Sequence, residues 1–135
     1  MLFRSQDWVF EGGSLDVDGE GTGLTTRQCL LNENRNPGLA QGDIERRLKD
    51  SLGIEKLIWL GDGLLNDHTD GHVDNIARFV APGRVVCMEP SGRNDPNKAA
   101  LKAIIKALES ATDAQGRKLE VVTVPSPGQI GRAHV

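Results

Sequence analysis

Apolar and polar positions along the chain follow two rhythms, a period of two and a period near 3.6, and the switch between them happens twice. Residues 14–17 (Ser-Leu-Asp-Val) alternate, Asp18-Gly19-Glu20-Gly21 breaks the pattern, and residues 23–26 follow. This predicts strand, turn, strand, with glycine supplying the positive φ that a hairpin needs. Ile44, Leu48 and Leu52 then fall on one helical stripe, with Asp43 placed as N-terminal cap and Gly53 as the stop, which predicts a helix over 44–52. Residues 54–60 (Ile-Glu-Lys-Leu-Ile-Trp-Leu) read as a mostly buried strand. The order then returns. Residues 72–80 predict a strand, Pro82-Gly83 a turn and residues 84–88 another strand. Leu101, Ile104, Ile105 and Leu108 mark a helix over 97–110, with Pro96 suited to its first turn. Asp113-Ala114-Gln115-Gly116 predicts a turn and residues 119–124 a closing strand.

The chain thus reads as strand-strand-helix-strand, twice, with a period of roughly 60 residues and no clear identity between the two copies. Two copies close poorly, because each repeat buries its face against a neighbour. The N-terminal Trp8-Val9-Phe10 reads as an apolar strand with little lead-in, and the chain stops soon after Pro127-Gly128, so both ends are expected to be cuts in a longer polypeptide. Residues 130–135 spell what one reading frame of a common short-read sequencing adapter encodes. Residues 1–128 are therefore expected as a partial domain and 129–135 as a non-native tail.

Composition narrows the function classes. At 135 residues the chain is long enough for one modest core. Lys and Arg number 16 against 19 Asp and Glu, a net charge of −3, which leaves no basic footprint for nucleic acid or for a membrane surface. Aromatics are 4% with no Tyr, so base-stacking platforms are not expected. Cys29 and Cys87 do not make a secreted disulfide framework. No apolar run approaches the roughly 20 residues of a membrane span, and residues 1–7 lack a signal-peptide build. A soluble, cytoplasmic protein is expected.

The densest chemistry lies in residues 66–75, Asn-Asp-His-Thr-Asp-Gly-His-Val-Asp-Asn. If that backbone is extended, His68, Asp70, His72 and Asp74 form one row. His72 beside Asp74 then offers a proton shuttle next to a carboxylate that can hold a cation; the plain alternative is a solvated strand end. Glu11-Gly12-Gly13 places a carboxylate where glycines allow close approach of a ligand to the backbone, or makes an ordinary turn. Cys29 and Cys87 sit among apolar neighbours and read as buried small hydrophobes rather than nucleophiles. Residues 32–37 (Asn-Glu-Asn-Arg-Asn-Pro) read as an amide-stiffened loop.

At these residues the chain resembles the agmatine deiminase family, which is grouped with bacterial peptidyl-arginine deiminases. The resemblance runs through Glu11-Gly12-Gly13-Ser14, Val17-Asp18-Gly19-Glu20-Gly21-Thr22, Leu24-Thr25-Thr26, Cys29-Leu30-Leu31-Asn32 and Asn34-Arg35-Asn36-Pro37. It continues through Ile58-Trp59-Leu60, Thr69-Asp70-Gly71-His72-Val73-Asp74-Asn75, Arg78-Phe79-Val80, Thr112-Asp113-Ala114 and Gly116-Arg117-Lys118, so it reaches to about Gly128. It implies an α/β fold of the pentein type, a propeller of five strand-strand-helix-strand blades, of which about two are present here. It also implies hydrolysis of agmatine to N-carbamoylputrescine and ammonia, a step toward putrescine, through a covalent amidino-cysteine and without metal or organic cofactor. By the same resemblance His72 protonates the leaving ammonia and activates water, Asp74 grips the guanidinium, and Glu11 lines the pocket. A homodimer is implied for the full-length protein. The family's nucleophilic cysteine has no match in this chain, and a second guanidinium-binding aspartate belongs to an upstream segment that is also unmatched. His68 stands where many members carry an acid. Three alternatives stay open: a peptidyl-arginine deiminase fragment, a metal-dependent hydrolase using His68, Asp70, His72 and Asp74, and a non-catalytic guanidinium-binding module.

Overall fold

Each half of the chain folds as a hairpin, a helix and a strand that returns parallel to the second hairpin strand. The structure, a computed structural model, describes residues 6–128; the expected tail at 129–135 lies outside them. In the first half β1 (Asp16–Val17) pairs antiparallel with β2 (Thr22–Thr26), the chain passes through α1 (Arg27–Leu30) and α2 (Gln41–Leu52), and β3 (Lys56–Leu60) lies parallel to β2. The second half repeats this with β4 (Ala77–Ala81) antiparallel to β5 (Arg84–Glu89), α3 (Lys98–Ser110), and β6 (Glu120–Pro125) parallel to β5. The two three-stranded sheets therefore have the same strand order and the same mixture of senses, as the doubled hydrophobic pattern predicts. Among the described residues no helix is long and apolar enough to cross a membrane.

Helix α3 is shared. Its Leu101, Ile104 and Leu108 meet Leu24, Ile58 and Leu60 of the first sheet and Val85 and Cys87 of the second in one core cluster. On the other face of the first sheet Ile44 and Leu48 of α2 pack with Leu30 and Ile54. Strand β2 is thus covered on both sides, and every one of its five residues is buried. Three of those residues are threonines, whose hydroxyls need partners in such a place. Thr25 Oγ1 donates to the Ser14 carbonyl at 2.7 Å and Thr26 Oγ1 to the Gly71 carbonyl at 2.6 Å, while Thr22 Oγ1 accepts from the Ala114 amide at 2.9 Å. Each bond reaches a different loop, so β2 organises the segments around it.

Four local expectations differ from the fold. Helix α2 begins at Gln41, not after Asp43: Ala40 is the capping position, and the Asp43 carboxylate reaches back from the first turn to accept the Ala40 amide at 2.8 Å. Trp8-Val9-Phe10 is not a strand; Val9 bonds through both backbone groups to the side chain of Asn36 instead of to a neighbouring strand. Residue 14 belongs to a 3-10 turn, Gly12–Ser14, so only Asp16 and Val17 pair in β1. The strand expected over 72–80 is a 3-10 turn, Val73–Asn75, followed by β4. Asp70 and Gly71, at φ of 58° and 86°, turn the chain before it can extend.

Beside the shared core, a buried carboxylate ties the first sheet to the second. Asp16, only 9% exposed, accepts from Arg78 Nε at 2.9 Å and from the Phe79 amide at 2.6 Å, linking β1 to β4. Asp16→Ala leaves that amide without its acceptor and is expected to lower the unfolding free energy by about 2–3 kcal/mol, with Asp16→Asn costing less. Denaturant titration checks this; a midpoint unchanged in Asp16→Ala would show that the link carries no stability.

Candidate active site

The loop that carries His72 is built by Asp67. Its carboxylate accepts from the Thr69 amide at 2.9 Å, from the Thr69 hydroxyl at 2.7 Å and from the Gly71 amide at 3.2 Å, an aspartate turn that closes residues 67–71 on themselves. Gly71 is then held from below. Its carbonyl receives Thr26 Oγ1, and a Cβ at Gly71 would stand 2.6 Å from Gln28 Oε1, the oxygen that accepts the Gly63 amide at 2.8 Å. Only glycine fits this left-handed, crowded position.

Emerging from this loop, His72 meets Glu11. The pair lies 61 residues apart in sequence, yet His72 Nε2 and Glu11 Oε2 are 2.8 Å apart. On the other side of the ring, Nδ1 lies 4.0 Å from Asp74 Oδ1. Gly13 closes the third side, where an added Cβ would stand 2.4 Å from His72 Nδ1 and 2.7 Å from Asp74 Oδ2. The glycine expected to admit a ligand thus serves first to admit the histidine and aspartate themselves. Glu11, His72 and Asp74, all singled out from the sequence, converge.

Reading the residues individually missed Arg35. Half-buried, it donates through Nε to Glu11 Oε1, through Nη1 to Asp70 Oδ2 at 2.9 Å and through Nη2 to the Thr69 carbonyl at 2.9 Å. Asn34 adds a bond from Nδ2 to Asp70 Oδ2 at 3.0 Å, and Asn36 is buried against the Leu30 and Val9 carbonyls. The loop over residues 32–37 is amide-stiffened as expected, but its arginine belongs to the site. The signal for it in the sequence is its place in Asn34-Arg35-Asn36-Pro37, one of the segments that carry the family resemblance.

His68, Asp70, His72 and Asp74 do not form a row, because the backbone turns at Asp70. His68 is exposed, and Asp70 points to Asn34 and Arg35. The four-residue metal site considered from spacing is therefore absent. The one group of three possible metal ligands among the described residues is a different one: Glu11, Cys29 and His72, whose ligand atoms all lie within 4.8 Å of one another.

Charges in the site are strongly paired. Hydrogen bonding to Arg35, with a further bond to His72, holds the Glu11 carboxyl below the ordinary carboxylate range against the opposing effect of burial. Asp70 is lowered by Asn34 and then Arg35. Asp67 is lowered too: burial opposes it, but the bonds from Thr69, Gly71 and Asn75 together outweigh burial. Cys29 is the reverse case. Fully buried beneath the site, its thiol is pushed up to about 11 by desolvation, which the Arg35 charge only partly offsets and the nearby acids reinforce. Cys87, in the core, is raised to about 11 by burial. Both stay protonated at neutral pH, as expected of buried small hydrophobes. The assembled surface is acidic around one imidazole, suited to a cation with N–H donors; a cleft of about 400 Å³ beside it is lined by Asp67 and Asp70 with Gln28 and residues 62–66, rather than by Glu11, His72 or Asp74.

A family model described as Porphyromonas-type peptidyl-arginine deiminase matches residues 1–134. An agmatine deiminase of Pseudomonas aeruginosa (strain LESB58) is 52% identical over 128 residues, which is 95% of this chain and 35% of the relative. The solved agmatine deiminase of Enterococcus faecalis is 48% identical with a TM-score of 0.88, over 92% of this chain and 34% of that one. A C. jejuni agmatine deiminase structure matches at 31% identity and a TM-score of 0.74, over 94% of this chain and 36% of that one. The chain spans about a third of the length of the relatives it matches.

The Arg35 pairing has a titration signature. A carboxylate lowered in the fold stabilises the fold above its ordinary value and loses that contribution as pH falls through the lowered value. Arg35→Ala is expected to move the Glu11 titration upward and to make the loop less sensitive to acid below about pH 4. Carbon-detected NMR of the Glu11 carboxyl reads this; an unmoved midpoint would mean that Arg35 does not set the charge of Glu11.

Proposed function

The chain belongs to the Porphyromonas-type peptidyl-arginine deiminase family, and we propose that it is part of an agmatine deiminase, an enzyme hydrolysing agmatine to N-carbamoylputrescine and ammonia. The observation that carries this reading is the convergence of Glu11, His72 and Asp74 from distant segments, with the His72 ring between the two carboxylates. Agmatine is preferred to peptidyl arginine because the curated relatives near half identity are agmatine deiminases. Both substrates present the same guanidinium head.

Asp74 pairs with the N–H donors of that head, a planar cation that suits a carboxylate in two-point contact. Glu11, its Oε1 already occupied by Arg35, presents Oε2 to the same space. These contacts fix the guanidinium carbon for attack by a thiolate. The sulfur–carbon bond forms and a carbon–nitrogen bond breaks, with His72 delivering the proton that lets nitrogen leave as ammonia. Water then adds to the amidino carbon, its proton passing to His72, and the sulfur–carbon bond breaks to release the ureido product. Cys29 and Cys87 are buried and protonated, so neither supplies the thiolate. It comes from another part of the parent protein, and the 135-residue chain alone is expected to show no turnover. The two repeated units are read as neighbouring blades of a five-bladed pentein ring.

In the parent enzyme Asp74→Asn removes the charge of the clamp and is expected to lower kcat/KM for agmatine by about thirtyfold, roughly 2 kcal/mol. His72→Ala is expected to lower kcat by about 10²–10⁴. Steady-state kinetics decide: an unchanged kcat/KM in Asp74→Asn would remove that residue from the site, and an unchanged kcat in His72→Ala would end the proposal.

A further inference from the structure

Cys29 lies against Glu11 and His72, yet the proposed reaction has no use for its thiol. It is fully buried on α1, and its amide donates to Thr26 Oγ1 at 3.2 Å, which fixes it within reach of the Glu11 carboxylate and the His72 ring. Above it stand Glu11 and His72. We propose that Cys29, His72 and Glu11 together bind a soft divalent metal ion of the zinc or cadmium type, which takes no part in the proposed reaction.

The three ligand atoms already lie within 4.8 Å of one another. Metal–sulfur and metal–nitrogen or –oxygen bonds of about 2.3 and 2.0–2.2 Å in a tetrahedral site put ligands about 3.3–3.7 Å apart. Reaching those spacings asks the Glu11–His72 edge to open from 2.8 Å and the wider edges, at most 4.8 Å, to close, movements of the order of an ångström within reach of side-chain rotation. The ligands come from three segments of the chain. Glu11 divides its two oxygens, with Oε1 held by Arg35 and Oε2 facing His72 at 2.8 Å. The Arg35 bond is then the outer support that orients a metal-bound carboxylate. Three protein ligands leave the fourth position to water.

Charge and softness select the ion. Glu11, Asp67, Asp70 and Asp74 surround the position against the single cation Arg35, a balance that draws in a dication. Thiolate with imidazole prefers zinc or cadmium to magnesium or calcium. As the metal–sulfur bond forms, the Cys29 S–H bond breaks and its proton leaves to solvent; nothing is oxidised or reduced. Occupancy takes the Oε2 and imidazole that a guanidinium would otherwise meet, so the bound metal competes with that head group. That consequence, unlike the metal site itself, rests on the function proposed above.

The test titrates the full 135-residue chain with cadmium chloride and follows the ultraviolet sulfur-to-cadmium charge-transfer band, which reads metal binding whether or not the guanidinium reading is right. The expected result is one cadmium per chain, a band lost in Cys29→Ser and retained in Cys87→Ser, and a Kd raised by more than about tenfold in His72→Ala and in Glu11→Gln. His72 and Glu11 are not core residues, so these variants test the site even where Cys29→Ser fails to fold by circular dichroism. Absence of the band, its loss in Cys87→Ser, its persistence in folded Cys29→Ser, or an unchanged Kd in His72→Ala would each overturn the proposal.

Discussion

A guanidinium within the protein holds together the surface proposed to bind one from solution. Arg35 reaches Glu11, Asp70 and the Thr69 carbonyl through separate nitrogens, a use of the rigid arginine fork that lysine cannot copy. Without it, Glu11 and the 67–71 loop would share an acidic surface with no fixed separation. With it, Glu11 stays ionised and keeps one oxygen directed at His72. The geometry of the site is therefore an electrostatic settlement between four acids and one internal cation.

That settlement stands on β2. Its three buried threonines bond to the Ser14 carbonyl, the Gly71 carbonyl and the Ala114 amide, so one strand fixes the segment after Glu11, the His72 loop and a turn of the second half. The double coverage of β2 by α2 and α3 keeps water from those hydroxyls and makes each bond costly to break. Gly13 and Gly71 complete the fit by leaving out the Cβ atoms that would strike His72, Asp74 and Gln28. Packing, hydrogen bonding and charge here act on the same few residues, so a change in any of them reaches the others.

One environment supports two opposite protonation preferences. The acids at the rim are held ionised by their partners, while Cys29, just beneath them, is held protonated by burial. This keeps the local sulfur out of nucleophilic chemistry at neutral pH while leaving it available to an ion that can displace its proton.

Much of the fold was legible because it is local. Alternation, helical stripes and glycine turns marked both strand-strand-helix-strand units, and α3 and β6 fall within a residue or so of where periodicity placed them. Glu11, His72 and Asp74 were legible as residue types suited to a cation and, through the family resemblance, as expected neighbours, and the fold brings the three together. Three things were not. The row of His68, Asp70, His72 and Asp74 assumed an extended backbone, and the left-handed Asp70–Gly71 pair, stabilised by the Asp67 turn and by Thr26 from 45 residues away, removed it. The part played by Arg35 depends on which acids lie within reach of its fork, and those come from residues 24 and 35 positions distant. The proximity of Cys29 to Glu11 and His72 leaves no trace in spacing at all. Period and composition determine which faces are buried and where the chain turns, since those follow from each residue and its near neighbours. Which charged groups meet is decided by long-range hydrogen bonds and the packing of β2 between two helices, and those exist only once the chain has closed on itself.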